Sequence, residues 1–382
     1  PAETLRYRFE LIDETGLENP DPGLFAIHVA EDRRPVVEIL APGRAEVETV
    51  VGGVLPLRVR AADDFGIDSM KWTSVAVNAE PAAYPLEFAP VDAGENSGFA
   101  VLAAARLTGD LLSGDGPVAE GQQFQLTVAA NDNRAPESQQ GESVELRVRV
   151  VSSDEFMRRL QDRLARARLS AGELTDLQRD KWDRTRELLA ALDSDEIEFG
   201  PDSAGIAGAL TGQRRVLGDA GALTRELASI TEALIYSSID ERSGTLLEAL
   251  DTSLSSHADK SFHVESWRSL AQVAQRDPSV ASGLAGRLVG VIQLSLEVSE
   301  ESGALAAQEL VNAQESEGAL EEAKRALTAA SNAQERSLQK LEELIERLAE
   351  WDNFQSVLAL TRDILNRQKN LLERTKSFAK EQ

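Results

Sequence analysis

A chain of 382 residues, 42% of them hydrophobic, is long enough for two or three domains with proper cores. Its 40 Lys and Arg face 65 Asp and Glu, a formal charge of −25, and such a surface repels nucleic-acid phosphates and anionic lipid headgroups. With no cysteine, disulfides, thiol nucleophiles and Cys-ligated zinc are excluded together, and the compartment stays open. The basic pairs Arg33-Arg34, Arg158-Arg159 and Arg214-Arg215 sit in acidic surroundings and read as solvated faces.

Residues 1 to 151 read as β. "LRYRFELID" puts Tyr7, Phe9 and Leu11 on one face, and "LFAIHVAED" does the same with Phe25, Ile27 and Val29. Period-two alternation returns in "LPLRVRAAD" (Leu55 to Asp63), "FQLTVAAND" (Phe124 to Asp132) and "VELRVRVV" (Val144 to Val151). With "VVEIL", "SMKWTSVAVNA", "YPLEFAPV" and "FAVLAAARL", residues 35–151 supply about seven or eight strands, enough for one immunoglobulin-like sandwich.

A partial repeat organises this half. Residues 7–32 run strand, Asp13, polar loop, strand, Asp32, and residues 126–154 run strand, Asp132, polar loop, strand, Asp154. Tyr7, Phe9, Leu11 and Asp13 align with Leu126, Val128, Ala130 and Asp132. Residues 1–34 are therefore expected to be the C-terminal hairpin of a truncated immunoglobulin-like domain, with residue 1 inside a larger protein. Glu31 to Pro35 would be the joint to a complete sandwich at 35–151.

From residue 152 the period changes. Ser152 and Glu155 form a capping-box pattern, and Phe156, Leu160, Leu164, Ala167, Ala171 and Leu174 recur at helical spacing. Helices are predicted at 202–238, 243–256 and 263–276, with Asp277 and Pro278 as N-cap and first residue of the next. The most apolar window, Gly283 to Val298, contains Arg287 and is shorter than the ~18–20 apolar residues of a membrane span. A helix over 302–350 would be about 70 Å long at 1.5 Å per residue, so antiparallel return helices or a second chain must cover its stripe. Gly303 and Gly318 are candidate interruptions, and "EWDNF" (Glu350 to Phe354) is read as a break before a last helix at 353–379. The fold class is thus all-β plus all-α: a sandwich followed by an elongated helical bundle or coiled coil at 152–382.

Candidate chemistry is sparse. Asp64-Phe65-Gly66 matches the metal-binding triplet of protein kinases, but no glycine-rich phosphate loop, strand lysine or H-R-D segment accompanies it. It reads as a turn, with Asp63 and Asp64 bonding backbone N–H groups. The groups Glu31/Asp32, Asp63/Asp64/Asp68 and Asn131/Asp132/Asn133 fall at strand ends, where hard oxygen donors suit calcium. "NDNRAP" resembles the calcium linker of cadherins, yet here a strand, Val144 to Val151, still follows it. With three histidines, His-based mechanisms are starved. His28 should face solvent, and His257, Asp259 and His263 lack helical zinc-ligand spacing. Trp182, Trp267, Trp351 and Phe354 read as core or helix-seam residues. No catalytic, cofactor-binding or metal residue is assigned.

Three stretches together carry a resemblance: "YRFELIDETGLENPDPGLFAIHVAEDRRPVVEILAPG", "VLPLRVRAADDFGID" and "VAANDNRAPESQQGESVELRVRVVSSDEF", the last running straight into a charged helix. This resembles an uncharacterised family of bacterial membrane-anchored envelope proteins, with periplasmic immunoglobulin-like repeats and coiled helical segments. The resemblance covers residues 1 to about 156 and extends in style to "WDNFQSV" and "LTRDILNRQKNLL". It implies a periplasmic location, an anchor outside this sequence and no catalytic residues. The expected function is a non-enzymatic envelope scaffold that binds a protein partner or itself through the helices. The alternatives are a calcium-stiffened adhesion or surface module, and an enzyme with an unrecognised site in the helical region, where a deep pocket with converging acids around 257–267 would be expected.

Overall fold

The computed structural model describes residues 4–19, 23–28, 31–77, 79–91, 98–113, 117–194, 204–256, 262–316 and 319–380. The chain opens with the hairpin β1 (Thr4–Arg8) and β2 (Leu24–His28). Then come β3 (Val36–Ala41), β4 (Glu46–Val50), β5 (Val54–Asp63), β6 (Ile67–Ala76), β7 (Ala82–Pro85), β8 (Phe88–Val91) and β9 (Phe99–Thr108). A single helical turn, α1 (Gly109–Ser113), precedes β10 (Gln123–Asp132), β11 (Gln140–Glu142) and β12 (Leu146–Val151). The helices are α2 (Ser153–Asp193), α3 (Ala204–Ser237), α4 (Gly244–Ser256), α5 (Val264–Arg276), α6 (Pro278–Ser282), α7 (Leu284–Leu296), α8 (Gly303–Glu315) and α9 (Leu320–Lys380). A π-helical segment, Glu297–Ser302, joins α7 to α8.

Two sheets pack face to face. One has the order β3-β5-β9-β8 and the other β4-β12-β10-β6-β7, with β11 added to β10. Alternation decides which side chains meet between them. Leu55, Leu57, Val59 and Ala61 of β5 face Phe124, Leu126, Val128 and Ala130 of β10 across one dry core, with Trp72 stacked on Tyr84.

Two details depart from the sequence reading. "YPLEFAPV" is not one strand: β7 pairs with β6, β8 pairs with β9, and the chain changes sheets between them. Pro85 has no N–H for a ladder, and Leu86 drops into the core while its N–H bonds Met70 O at 2.9 Å. The strand β4 ("EVETV") was not predicted. It is a polar edge strand whose partner β12 lies a hundred residues away in a parallel pairing, so its local pattern is weak.

The helices form an up-and-down bundle. Going up α2, the partners descend on α9: Arg179 meets Glu342, Trp182 meets Ser331 and Asp193 meets Lys324, so the two run antiparallel. Arg163–Glu226 and Gln178–Gln213 order α3 against α2 in the same way. Glu297–Lys340 and Ser302–Ser337 do so for the α7–α8 stretch against α9. Fully buried alanines (Ala306, Ala313, Ala323, Ala330, Ala333) let the backbones approach closely. Gln178, Gln213 and Gln334 form a buried polar layer, with Gln334 Nε2 donating to Gln213 Oε1 at 3.0 Å.

The expected 302–350 helix is two antiparallel pieces, because the chain leaves helical geometry after Glu315 and re-enters it at Leu320. Gly318 itself lies outside the described residues. Conversely, the expected break at Glu350 to Phe354 does not occur, and α9 continues through it. Asp352 and Asn353 are weak helix formers, but each costs at most ~0.7 kcal/mol against alanine, too little to end a helix without Gly or Pro. The expected caps are present: Ser152 Oγ accepts from Glu155 N at 3.1 Å, and Asp277 Oδ1 accepts from Ser279 N at 2.8 Å.

The β and α parts share a core. Val50 of β4 and Val151 of β12 join Phe156, Met157 and Leu160 of α2 in the bundle's apolar interior. Arg159 pairs with Glu48, and Arg44 reaches Glu226 at 3.4 Å, so the seam is ionic at its rim.

Candidate functional site

The strand-end acids sort cleanly. Asp32 of the linker, Asp63 at the end of β5 and Asp132 at the end of β10 bring one carboxylate oxygen each to within 4.8 Å of one another. Asp63 and Asp132 are 6% and 1% exposed, because both continue the inward register of a buried strand. One oxygen of each is spent on its own loop. Asp63 Oδ2 accepts from Phe65 N and Gly66 N at 2.9 and 2.8 Å, and Asp132 Oδ1 accepts from Arg134 N and Gln139 N at 3.2 and 2.7 Å. The other oxygens, Asp63 Oδ1 and Asp132 Oδ2, are buried without a hydrogen-bond partner, as is Asp32 Oδ1.

The linker is laced over this point. Gln139 Nε2 donates to Asp32 O at 3.2 Å, Arg33 N donates to Asp64 Oδ1 at 3.4 Å, and Arg134 lies 3.8 Å from Asp32 Oδ2. Loss of hydration, then the Asp132, Asp64 and Asp63 charges, pushes the Asp32 carboxyl above its ordinary range, while Arg134 pulls it back. Three carboxylates sharing one point are costly unless something positive sits among them.

The other predicted residues do not converge there. Glu31 and Asp68 are exposed. Asn131 Nδ2 bonds Ser69 Oγ and Asn133 Nδ2 bonds Phe65 O, both at 3.1 Å. Asp64-Phe65-Gly66 is the turn after β5, with Gly66 at φ +134°. His28 is exposed and lies 3.2 Å from Thr4 Oγ1. His263 stands before α5, and His257 and Asp259 lie outside the described residues. Trp267 and Trp351 are core residues of the bundle, and Trp182 Nε1 donates to Ser331 Oγ at 3.1 Å, with Arg186 over its ring. The side chain of Phe354 lies outside the described residues.

A cleft of about 1210 Å³ lies where the sheets meet the helices. Arg58 of β5 and Glu232 and Tyr236 of α3 line it, and with Asp251 of α4 and Arg106 of β9 they form a charged cluster. Tyr236 Oη donates to Asp251 Oδ1, and Asp251 Oδ2 pairs with Arg106 Nε. Burial, opposed by Arg58 and reinforced by Asp251, raises the Glu232 carboxyl above its ordinary range. Burial first, then Asp251, raises the Tyr236 hydroxyl. Along the cleft walls Arg163 pairs with Glu226 and Arg149 with Glu155, so much of its charge is already matched. The sequence reading missed this cluster, because Arg58 looks like any outward arginine on an alternating strand until helices cover that face.

No family model matches the chain, and no curated protein matches it. Among solved structures it is similar to AggA, the major subunit of aggregative adherence fimbriae type I from Escherichia coli, at 10% identity over 33% of this chain and 99% of that one, with a TM-score of 0.20. It is also similar to Astrotactin-2, a vertebrate-specific, perforin-like membrane protein involved in neuronal development, at 11% identity over 77% of this chain and 40% of that one, with a TM-score of 0.21. At those scores neither likeness carries an argument about fold or function.

Proposed function

We propose that the chain is a non-enzymatic structural and interaction scaffold of the bacterial cell envelope. Its immunoglobulin-like β modules serve as spacers, and its helical region serves for partner binding or self-association. The observation that carries this reading is the repeated hairpin. The loop between β1 and β2 has an Asp-capped wiring similar to that of the loop leading from β10 into β11, yet Tyr7, Phe9 and Phe25 form an aromatic cluster on a face that no other described strand covers. An apolar face of this kind resembles the inner face of the sandwich strands, and that likeness supports the spacer reading. The shared core of Val50, Val151 and Phe156 supports a stiff hand-over from spacer to bundle. Among the described residues no helix is long and apolar enough to cross a membrane. The envelope location rests on the family resemblance.

On the helical side, Ile364 of α9 is 48% exposed, an apolar residue available to a neighbouring helix in coiled-coil fashion. Light scattering of the purified chain over a concentration series tests the association. The expected result is concentration-dependent self-association that Ile364→Glu weakens. A strict monomer at every concentration, unchanged by the substitution, would remove self-association through the helices.

A further inference from the structure

We infer that Asp32, Asp63 and Asp132 form a calcium site that clamps the linker between the β1–β2 hairpin and the sandwich. The donor set is three carboxylates and no nitrogen or sulfur, which selects a hard cation over zinc, copper or iron. The division of labour within each aspartate argues for a ligand. Asp63 and Asp132 turn one oxygen to backbone N–H groups, which fixes the carboxylate plane, and leave the other buried and unpartnered, while the three carboxylates meet within 4.8 Å. A carboxylate that served only to cap its loop would leave its second oxygen to solvent. Here two such oxygens are sealed in, and the linker supplies the third from Asp32.

The three ligands come from three separate places: the linker, the end of β5 in one sheet and the end of β10 in the other. An ion among them ties both sheets to the chain that leaves the hairpin. Calcium suits such a point better than magnesium. It takes six to eight oxygens in flexible geometry, so waters and nearby carbonyls complete the shell, whereas magnesium demands a near-ideal octahedron. The consequence, a joint that stiffens when calcium is present, rests on the spacer reading above. The site itself does not.

The test is calorimetric titration of the full chain, stripped with chelator, with CaCl2 and separately with MgCl2, alongside thermal melts with calcium and with chelator. Calcium is expected to bind with one-site stoichiometry at least ~10-fold more tightly than magnesium and to raise Tm. Asp32→Asn and Asp132→Asn should each weaken calcium binding ~10-fold or more, while Asp68→Asn, an exposed neighbour, leaves it unchanged. In chelator, Asp132→Asn should melt at or above the wild type, since it keeps the loop acceptor and removes one of three repelling charges. That result also shows that the variant folds. No heat and no Tm shift at millimolar calcium would overturn the inference, and so would binding that both aspartate variants leave intact. A null titration with concentration-dependent association still present overturns the cation site alone. A strict monomer with the titration intact overturns self-association through the helices and leaves the cation site standing.

Discussion

The two hairpins, β1–β2 and β10–β12, are built on one local plan and live in opposite environments. In the first, Asp13 N donates to Leu17 O, and Asp13 Oδ1 accepts from Thr15 N and Leu17 N. In the second, Asp132 N donates to Gln139 O, and Asp132 Oδ1 accepts from Arg134 N and Gln139 N. The far-end partner moves from four residues away to seven, and the first loop adds the Thr15 hydroxyl to Asp13 Oδ1 and Gly16 N to Asp13 O. Yet Leu126, Val128 and Ala130 are 0% exposed, while their counterparts Phe9 and Leu11 are 60% and 66% exposed. Local sequence therefore sets the loop, and a facing sheet sets the burial. The same difference turns an exposed loop cap, Asp13, into a buried carboxylate beside two others.

The comparison is broken most forcefully in the core. Leu126→Ala should cost ~2–5 kcal/mol in denaturant unfolding, because its neighbours across the sandwich cannot close the cavity. The aligned change Tyr7→Ala should stay within about 0.5 kcal/mol for the same transition, since its ring contacts, Phe25 and Phe9, lie on the exposed hairpin itself. Equal losses at the two positions would mean that the hairpin's apolar face is covered in solution.

Much of this contrast was legible in the residues. Alternation located β5, β10 and β12, the aspartate repeat located both loops, and Ser152 marked the switch to helix. What stayed hidden was non-local. The parallel partner of β4, the sheet change at Pro85 and the helical cover over Arg58 each depend on chain far away in sequence. The carboxylate site lies between these cases. Asp63 follows Leu55, Leu57, Val59 and Ala61 in register, and Asp132 follows Leu126, Val128 and Ala130, so strict alternation already points both acids inward. The sequence reading weighed calcium against turn capping at these strand ends without using that parity. Which third acid joins them, Asp32 rather than Glu31 or Asp68, required the linker's path.

Glycines sharpen the comparison at intermediate size. A Cβ on Gly141 would lie 1.9 Å from Pro35 O, where β11 passes the linker, so Gly141→Ala must displace one of two backbones. About 1–3 kcal/mol of destabilisation is expected, with weaker calcium binding as the linker shifts. In the exposed hairpin, Gly16 has φ +81° and open space around it, so Gly16→Ala carries only the left-handed backbone penalty of about 1 kcal/mol. The sandwich variant should show the larger drop in Tm. The hairpin variant should show changes confined to amide exchange between Asp13 and Leu17.

The smallest effect is the most local. Asp13 is held below its ordinary carboxyl range, chiefly by the Thr15 hydroxyl and then by the Leu17 and Thr15 amides. A carboxyl whose folded pKa is depressed contributes stability above its unfolded value of 3.8, and loses it as pH falls through the folded one. The Thr15 and Leu17 amide resonances should therefore titrate together, with a midpoint below 3.8, as the loop gives up its cap. Asp13→Asn keeps an acceptor without a charge, so it should flatten that titration while the loop stays closed. A midpoint at or above 3.8 would show that the cap is not formed in solution, and the shared wiring of the two hairpins would then depend on burial after all.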